Sequence, residues 1–123
     1  MRRILIAAAL PLLASAAAPA TLQLLDVPQD KGPQQVIVQV REFAPGAQSG
    51  WHVHPGVEMA YVESGTMEVV TFGGVRRLEA GESFLMPRGQ AHNGVNPGSV
   101  AAKVVITLVL DKGAEPRQSV PAP

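Results

Sequence analysis

The chain has 123 residues, 10 basic and 10 acidic residues, and no cysteine. This length accommodates one domain, and the balanced charge argues against a nucleic-acid partner or an anionic membrane surface. The absence of cysteine excludes a disulfide framework and a lipoprotein anchor.

Residues 1–20 predict a cleaved secretory signal peptide. Arg2 and Arg3 form a basic start, an apolar run follows to Ala17, and Ala18-Pro19-Ala20 offers a small-residue cleavage site. A membrane anchor or a buried helix is the alternative, but the apolar run is shorter than the roughly 20 residues that span a bilayer. We expect a periplasmic or secreted protein with no stable membrane association after cleavage.

The segment 21–35 contains several breakers, and from Val36 the chain becomes a series of short β-type runs separated by turn residues. Gly73-Gly74 predicts a two-residue hairpin. Strand signals at this spacing, without helical periodicity, predict an all-β domain of antiparallel strands over residues 36–112. The polar, proline-rich residues 113–123 predict an extended or frayed tail.

Ala101–Leu110 is the longest apolar run, and from Val104 onward only Thr107 interrupts it. Alternation along a strand therefore leaves no polar face, which predicts a central strand covered on both sides or a subunit contact. Removal of the leader would leave about 103 residues, and such a chain buries a modest core. We therefore expect a homodimer.

Two of the three histidines, His52 and His54, are separated by one residue, and Glu58 follows beyond the Pro55-Gly56 bend. On a strand, positions two apart lie on one face with Cα atoms roughly 6.5–7 Å apart. Imidazoles with a carboxylate make a mixed nitrogen and oxygen site for a divalent transition metal. A polar strand with solvated histidines is the alternative, and this stretch alone does not decide.

A second motif decides between a metal site and a polar strand with solvated histidines. Gly46 is followed by five residues, His52-x-His54, three residues, Glu58, six residues and Gly65. Gly81 is followed by five residues, Pro87-x-Gly89, two residues, His92, three residues and Asn96. These spacings match the two signature motifs of the cupin superfamily at every fixed position, so the chain from about Val36 to Leu110 resembles a small bacterial cupin.

The resemblance implies a single jelly-roll β-barrel that holds one divalent transition metal ion, whether Fe, Mn, Ni, Cu, Co or Zn. It implies that the metal ligands are His52, His54, Glu58 and His92. The motif glycines lie where strands reverse, and glycine permits the positive φ of tight turns. Asn96 is expected to hydrogen-bond the loop backbone.

An open metal position would support Lewis-acid chemistry or oxygen activation. Because few acid–base groups remain beyond the four ligands, the sequence favours a metal-dependent dioxygenase acting on an aromatic or enolic compound. A non-catalytic binding module and a Lewis-acid lyase or isomerase are the alternatives, and no catalytic acid or base is assigned.

Several other side chains are candidates for the cavity. Glu42 shares strand parity with Val36, Val38 and Val40, and an exposed rim position is its alternative. Phe84, Leu85 or Met86 could wall the cavity, and Trp51 could serve as a substrate platform or be buried between sheets or subunits. Four arginines could bind a substrate carboxylate or be solvated: Arg41, Arg76, Arg77 and Arg88.

Overall fold

The computed structural model describes residues 18–27 and 32–123. Its strands are β1 (Gln34–Phe43), β2 (His52–Val53), β3 (Gly56–Ser64), β4 (Thr66–Thr71), β5 (Gly74–Glu79), β6 (Ser83–Met86), β7 (His92–Val95), β8 (Ala102–Asp111) and β9 (Gln118–Ser119). The described ranges contain no helix and so no helix that could cross a membrane. Most of the predicted signal peptide, residues 1–17, lies outside the described residues.

The strands form two antiparallel sheets. One sheet has four strands in the order β1-β8-β3-β6, and the other has five in the order β5-β4-β7-β2-β9. Consecutive strands β3 and β4 lie in different sheets, as do β5 and β6, so the chain passes repeatedly from one sheet to the other. The prediction of an all-β jelly roll is confirmed, with two opposed sheets in place of a fully closed barrel.

Strand β8 shows how the core is built. It lies between β1 and β3, and its buried residues alternate with half-buried ones along the whole strand. Its inward side chains belong to the core cluster, which continues onto both sheets; those of β8 are Ala102, Val104, Ile106, Leu108 and Leu110. β8 is therefore a central strand as predicted, but only its inner face is fully buried, and the alternative of a subunit contact stays a prediction.

The outer face of the four-stranded sheet is also apolar. Val36, Val38 and Val40 of β1 are 64%, 66% and 59% exposed. In register, Val38 lies beside Thr107 of β8, which lies beside Met59 of β3. The valines that alternate along β1 therefore face away from the core, and nothing in residues 18–27 and 32–123 covers them.

Residues 18–27 form an irregular segment beside this sheet. The side-chain amide of Gln23 donates a hydrogen bond to Ser83 Oγ of β6, at 2.8 Å. Leu25 and Val27 border a groove whose other wall includes Val57 and Val109. The segment thus lies along the β6 side of the outer face and leaves the β1 side open.

The motif glycines adopt the predicted backbone. Gly46, Gly65, Gly81 and Gly89 have φ values between +72° and +92°. At Gly65, which connects β3 to β4, a Cβ atom would also lie 2.8 Å from the carbonyl oxygen of Ala101. Only glycine fits this crossing between the sheets, because both its dihedral and its space exclude a side chain.

One sequence prediction is wrong in detail, and one pair of alternatives is decided by the structure. The β4–β5 turn consists of Phe72 and Gly73, one residue earlier than predicted, because Gly74 already pairs with Thr71. The tail is not frayed at Gln118–Ser119, which form β9 against β2. Although the tail is polar, its backbone groups pair with those of β2, a strand of only two residues.

Candidate metal centre

The four predicted ligands come from both sheets. His52 of β2 lies directly opposite His92 of β7 in the five-stranded sheet, and His54 follows β2. Glu58 is on β3 of the four-stranded sheet and points into the space between the sheets, as alternation along β3 requires. All four side chains are buried, with exposed fractions between 2% and 7%.

The second motif is joined to the first by backbone contacts. Gly89 N–H donates to the carbonyl oxygen of His54, at 3.1 Å. Asn96 is fully buried, and its side-chain amide donates to the carbonyl oxygens of Phe43 and Val100. The predicted backbone hydrogen bonds of Asn96 are confirmed, and they hold the loop after β7 against the end of β1.

The four side chains converge closely. One potential ligand atom from each of His52, His54, Glu58 and His92 lies within 4.8 Å of all the others. Glu58 Oε2 lies 2.8 Å from His54 Nε2 and 3.0 Å from His92 Nε2. Such a set of three imidazoles and a carboxylate could hold a divalent transition metal ion.

The other ring nitrogen of each histidine is occupied by a backbone carbonyl. Nδ1 of His52 donates to Gly50, that of His54 to Pro116, and that of His92 to Gln90, over 2.7, 2.6 and 2.9 Å. In neutral imidazoles this arrangement places the proton on Nδ1 and leaves Nε2 as a lone pair, the tautomer that metal-binding histidines adopt.

This tautomer leaves electron pairs facing one another around Glu58. The buried Nε2 of His54 has no hydrogen-bond partner of acceptable geometry among the described residues. A carboxylate oxygen and imidazole lone pairs at such distances repel each other unless a cation lies between them or a ring is protonated. The donor set therefore fits a bound metal ion.

The pKa values follow from burial and from the charges within the cluster. Burial lowers the pKa of His52 to about 4, so this imidazole is neutral at physiological pH. Burial also opposes ionisation of Glu58, but the imidazoles of His54 and His92 outweigh it and hold its pKa at about 2. For His54, burial is outweighed by the Glu58 carboxylate and the Pro116 carbonyl, and its pKa is raised.

A cavity of about 50 Å³ includes the four side chains in its wall. Phe84 also lines it, as predicted, whereas Leu85 and Met86 do not. The remaining wall is mostly apolar and belongs to the core. Only two lining residues beyond the cluster carry a free polar end, Gln39 and Arg41 of β1, because Ser49 already bonds Asn93 and Gly94.

The position of Arg41 corrects the expected parity of β1. The cavity side of β1 carries Gln39, Arg41 and Phe43, whereas Glu42 is exposed on the other side with the valines. A cavity role for Glu42 is therefore wrong, and its alternative as an exposed rim residue is confirmed. The valines suggested the wrong inner side for β1, because they are apolar but form part of the outer face.

The other arginines do not line this cavity. Arg88 forms a two-point ion pair with Asp111, at 2.7 and 2.8 Å, and Arg77 pairs with Glu79. Arg76 donates to the Ser83 carbonyl. Trp51 is half-buried outside the cavity wall, and its ring packs against that of Phe72 at 5.1 Å, so it is not a substrate platform at this cavity.

The carboxyl-terminal contacts of the site were missed from the sequence. Pro116 accepts the His54 Nδ1 proton, and Arg117 donates to the carbonyl oxygens of Ser49 and Gly50. No spacing signal could have found them, because the acceptors are main-chain atoms more than sixty residues away in the chain.

The Cupin domain family model matches residues 39–109, more than half of the chain, and this range contains all four clustered side chains. The chain belongs to the cupin family. Membership agrees with the two motifs and with the opposed antiparallel sheets, and cupins commonly bind a metal.

Named relatives of this cupin include oxalate oxidase 2 from Hordeum vulgare, 34% identical over 95 residues that cover 68% of this chain and 42% of the relative. Among solved structures, a protein with a double-stranded β-helix domain from Klebsiella pneumoniae matches with a TM-score of 0.61, 28% identity and coverage of 71% and 76%. Recombinant oxalate oxidase in complex with glycolate matches with a TM-score of 0.61, 29% identity and coverage of 70% and 46%. The cupin spans less than half the length of these oxalate oxidases.

Proposed function

We propose that this protein is an exported metal-dependent oxidoreductase that oxidises a small molecule with dioxygen. The observation that carries the proposal is the convergence of His52, His54, Glu58 and His92 in the wall of a small buried cavity. These four side chains are the ligands of one divalent ion, whether Fe, Mn, Ni, Cu, Co or Zn.

A first-row metal bound there would supply Lewis acidity and a coordination position for dioxygen or for a chelating substrate. The residues of the chain supply the rest. The backbone carbonyls of Gly50, Pro116 and Gln90 orient the imidazoles, and the rest of the wall is mostly apolar. The names of the oxalate oxidase relatives support oxidase chemistry for this fold.

Oxygen uptake tests the proposal. Protein loaded with each of the six metals in turn is offered small chelating acids, diols and diketones in an oxygen electrode. We expect uptake with at least one metal and none with the metal-free protein. Absence of uptake across the whole panel would contradict the proposal and favour a non-catalytic binding module.

A Lewis-acid lyase or isomerase is the second candidate, because a divalent ion held by the cluster would polarise a bound substrate without any need for dioxygen. It predicts the same product under argon as under air. Product analysis without oxygen therefore separates it from an oxidoreductase, which requires dioxygen as the electron acceptor.

We also propose that the protein is a homodimer and that it is periplasmic or secreted. The exposed valines of β1 and the half-buried Val105 and Met59 form the apolar centre of a face whose charged residues, such as Glu42 and Lys103, lie at the strand ends, and a second copy of the same face would cover it. Residues 1–20 support export. Sedimentation and fractionation of cells that express the full chain test the two statements.

A further inference from the structure

Arg41 is the cationic side chain that shares the cavity with the metal cluster. Its guanidinium carbon lies 4.6 Å from the centre of the Phe43 ring, a cation–π contact that holds the head group at the cavity wall. Arg41 is half-buried and Gln39 beside it is exposed, so this part of the wall connects the cavity to solvent.

The guanidinium of Arg41 has no acidic partner among residues 18–27 and 32–123. By contrast, Arg77 of β5 and Arg88 of the loop after β6 are paired with carboxylates. Arg76 of β5 donates to a carbonyl oxygen. Arginine donors form a fixed fork that matches the two oxygens of a carboxylate. The guanidinium of Arg41, which lies over the Phe43 ring without an acidic partner in the described residues, is therefore available to bind an anion.

The volume of the cavity limits the size of that anion. At about 50 Å³ the cavity is far smaller than the roughly 300–1,000 Å³ of sites for drug-sized ligands. Such a space suits an acid of a few heavy atoms better than an aromatic ring with its substituents. Glu58 is the one acidic lining residue, and its charge faces the imidazoles.

We propose that the cavity binds a small carboxylic acid, such as a 2-hydroxy or 2-oxo acid or a short dicarboxylate, and that Arg41 is the residue that selects its carboxylate. This inference rests on the proposed function, because the metal cluster would hold the other end of the acid. It replaces the aromatic or enolic substrate expected from the sequence.

Calorimetric titration of the Mn-loaded protein tests Arg41. The probes are glycolate and glycolamide, which have the same size but differ in charge. We expect Arg41→Gln to weaken glycolate binding by about tenfold or more, to leave glycolamide binding unchanged, and to leave the Mn dissociation constant unchanged. Arg41→Lys restores part of the glycolate affinity. Arg77→Gln, which removes an exposed arginine outside the cavity, leaves all three constants as they are.

Glycolate affinity that is unchanged in Arg41→Gln, or an equal loss for both probes, would overturn the inference, as would a wild-type protein that binds neither probe. The proposed function fails separately. If binding of glycolate depends on Arg41 but no acid supports oxygen uptake, the carboxylate site stands and the oxidoreductase does not.

A second inference concerns the carboxyl-terminal segment Pro116–Val120. Strand β9 pairs with β2, so that Ser119 lies opposite His52 and Gln118 opposite Val53, and Val120 N–H donates to the Trp51 carbonyl. The short strand that carries the first motif therefore has β7 on one side and this segment on the other.

The same segment contacts the orienting groups of two histidines. The Pro116 carbonyl accepts the Nδ1 proton of His54 directly. Arg117 donates to the Gly50 carbonyl, which in turn accepts the Nδ1 proton of His52. By contrast, His92 uses a carbonyl of its own loop, at Gln90. One imidazole, that of His54, thus depends directly on residues that follow the last long strand, and that of His52 depends on them indirectly through the Gly50 carbonyl.

We infer that Pro116–Val120 acts as a latch that orients the His52 and His54 imidazoles toward the metal, with Arg117 as a positioning residue. Loss of such outer partners typically weakens metal binding by roughly 10–100-fold. The inference concerns metal affinity and does not depend on the reaction.

Matched truncations test the latch. We expect removal of residues 114–123 to weaken Cu or Mn binding by roughly 10–100-fold, and removal of residues 121–123, which follow the latch, to leave it unchanged. Competition with a chelator gives the dissociation constants. Paramagnetic resonance of the Cu-loaded protein is expected to change its nitrogen hyperfine pattern in the first truncation only.

Point variants keep the test decisive if the longer truncation does not fold. We expect Arg117→Ala to weaken metal binding by several-fold and to alter the Cu spectrum, and Arg117→Lys to restore part of both. Lys112→Ala, which removes an exposed cation outside the latch, is the control. A metal dissociation constant and spectrum unchanged in Arg117→Ala, or changed equally in Lys112→Ala, would overturn the inference.

Discussion

The two faces of the four-stranded sheet are made from the same strands but differ in kind. On the inner face, the three long strands carry different chemistry: Glu58 of β3 belongs to the metal cluster, Arg41 of β1 lines the cavity, and Leu108 of β8 is in the core. On the outer face, valines and Met59 predominate around Thr107, and charged residues such as Glu42 lie toward the strand ends. At each position of the inner face a particular residue type is needed, whereas the outer face needs only apolar residues.

This difference teaches that strand alternation alone does not tell which face carries function. On β1 the apolar residues Val36, Val38 and Val40 lie outside, and the polar residues Gln39 and Arg41 lie toward the cavity. The usual assignment of apolar residues to the inside fails at these positions, although Phe43 of the same strand belongs to the core. We expect substitutions on the inner face to change metal affinity, ligand affinity and the free energy of unfolding. We expect substitutions on the outer face to change association between copies.

The largest expected effect is at Glu58 of the inner face. Glu58→Gln removes the only carboxylate of the cluster, and we expect the metal dissociation constant to rise by more than the roughly 100-fold upper range for loss of an outer partner. Glu63→Gln, on the exposed end of the same strand, is the matched control and keeps wild-type affinity. Elemental analysis and chelator competition measure both. Full metal content in Glu58→Gln would refute the ligand assignment.

Adjacent residues of β8 give the second comparison. Leu108 is 3% exposed, and its replacement by alanine leaves a cavity in the core, so we expect a loss of about 2–5 kcal/mol in the free energy of unfolding. Val109→Ala, one residue further on the outer face, is expected to cost about 1 kcal/mol or less. Denaturant titration of the metal-free variants measures the difference. Equal losses would show that the outer face is as tightly packed as the core.

Association is expected to respond only to the outer face. Val38→Lys places a charge in the middle of the apolar rows, and we expect it to shift the protein to monomer in sedimentation experiments without a change in metal affinity. Val100→Lys alters an equally exposed valine in the loop before β8 and serves as control. A wild-type monomer, or a dimer that survives Val38→Lys, would contradict the proposed interface.

Acidification is expected to produce the smallest effect. Since the pKa of His52 falls from 6.5 to about 4 on folding, its contribution to stability is complete above pH 6.5 and is lost as the pH falls toward 4. His54, with a raised pKa, acts in the opposite direction. We expect the Tm of the metal-free protein to fall between these pH values, and His52→Gln to flatten the slope. A Tm that is constant over this range would show that the two histidines cancel.

Much of the site was predictable because the motif spacings encode local geometry. His52 and His54 share a face by strand alternation, the glycines permit the reversals between strands, and Asn96 closes the loop after β7. These are short-range consequences of residue type. The convergence of Glu58 and His92 on that pair was predictable only because the spacing of both motifs matched a known family.

The sequence by itself determined the all-β class, the four candidate ligands and the apolar character of β8, since each depends on residue type and spacing. Only the tertiary structure decided that Arg41 and not Glu42 faces the cavity, because that depends on which face of β1 the opposite sheet covers. It also decided that Pro116 and Arg117 orient the histidines, because main-chain carbonyls have no residue signature and meet these imidazoles only after the sheets have formed.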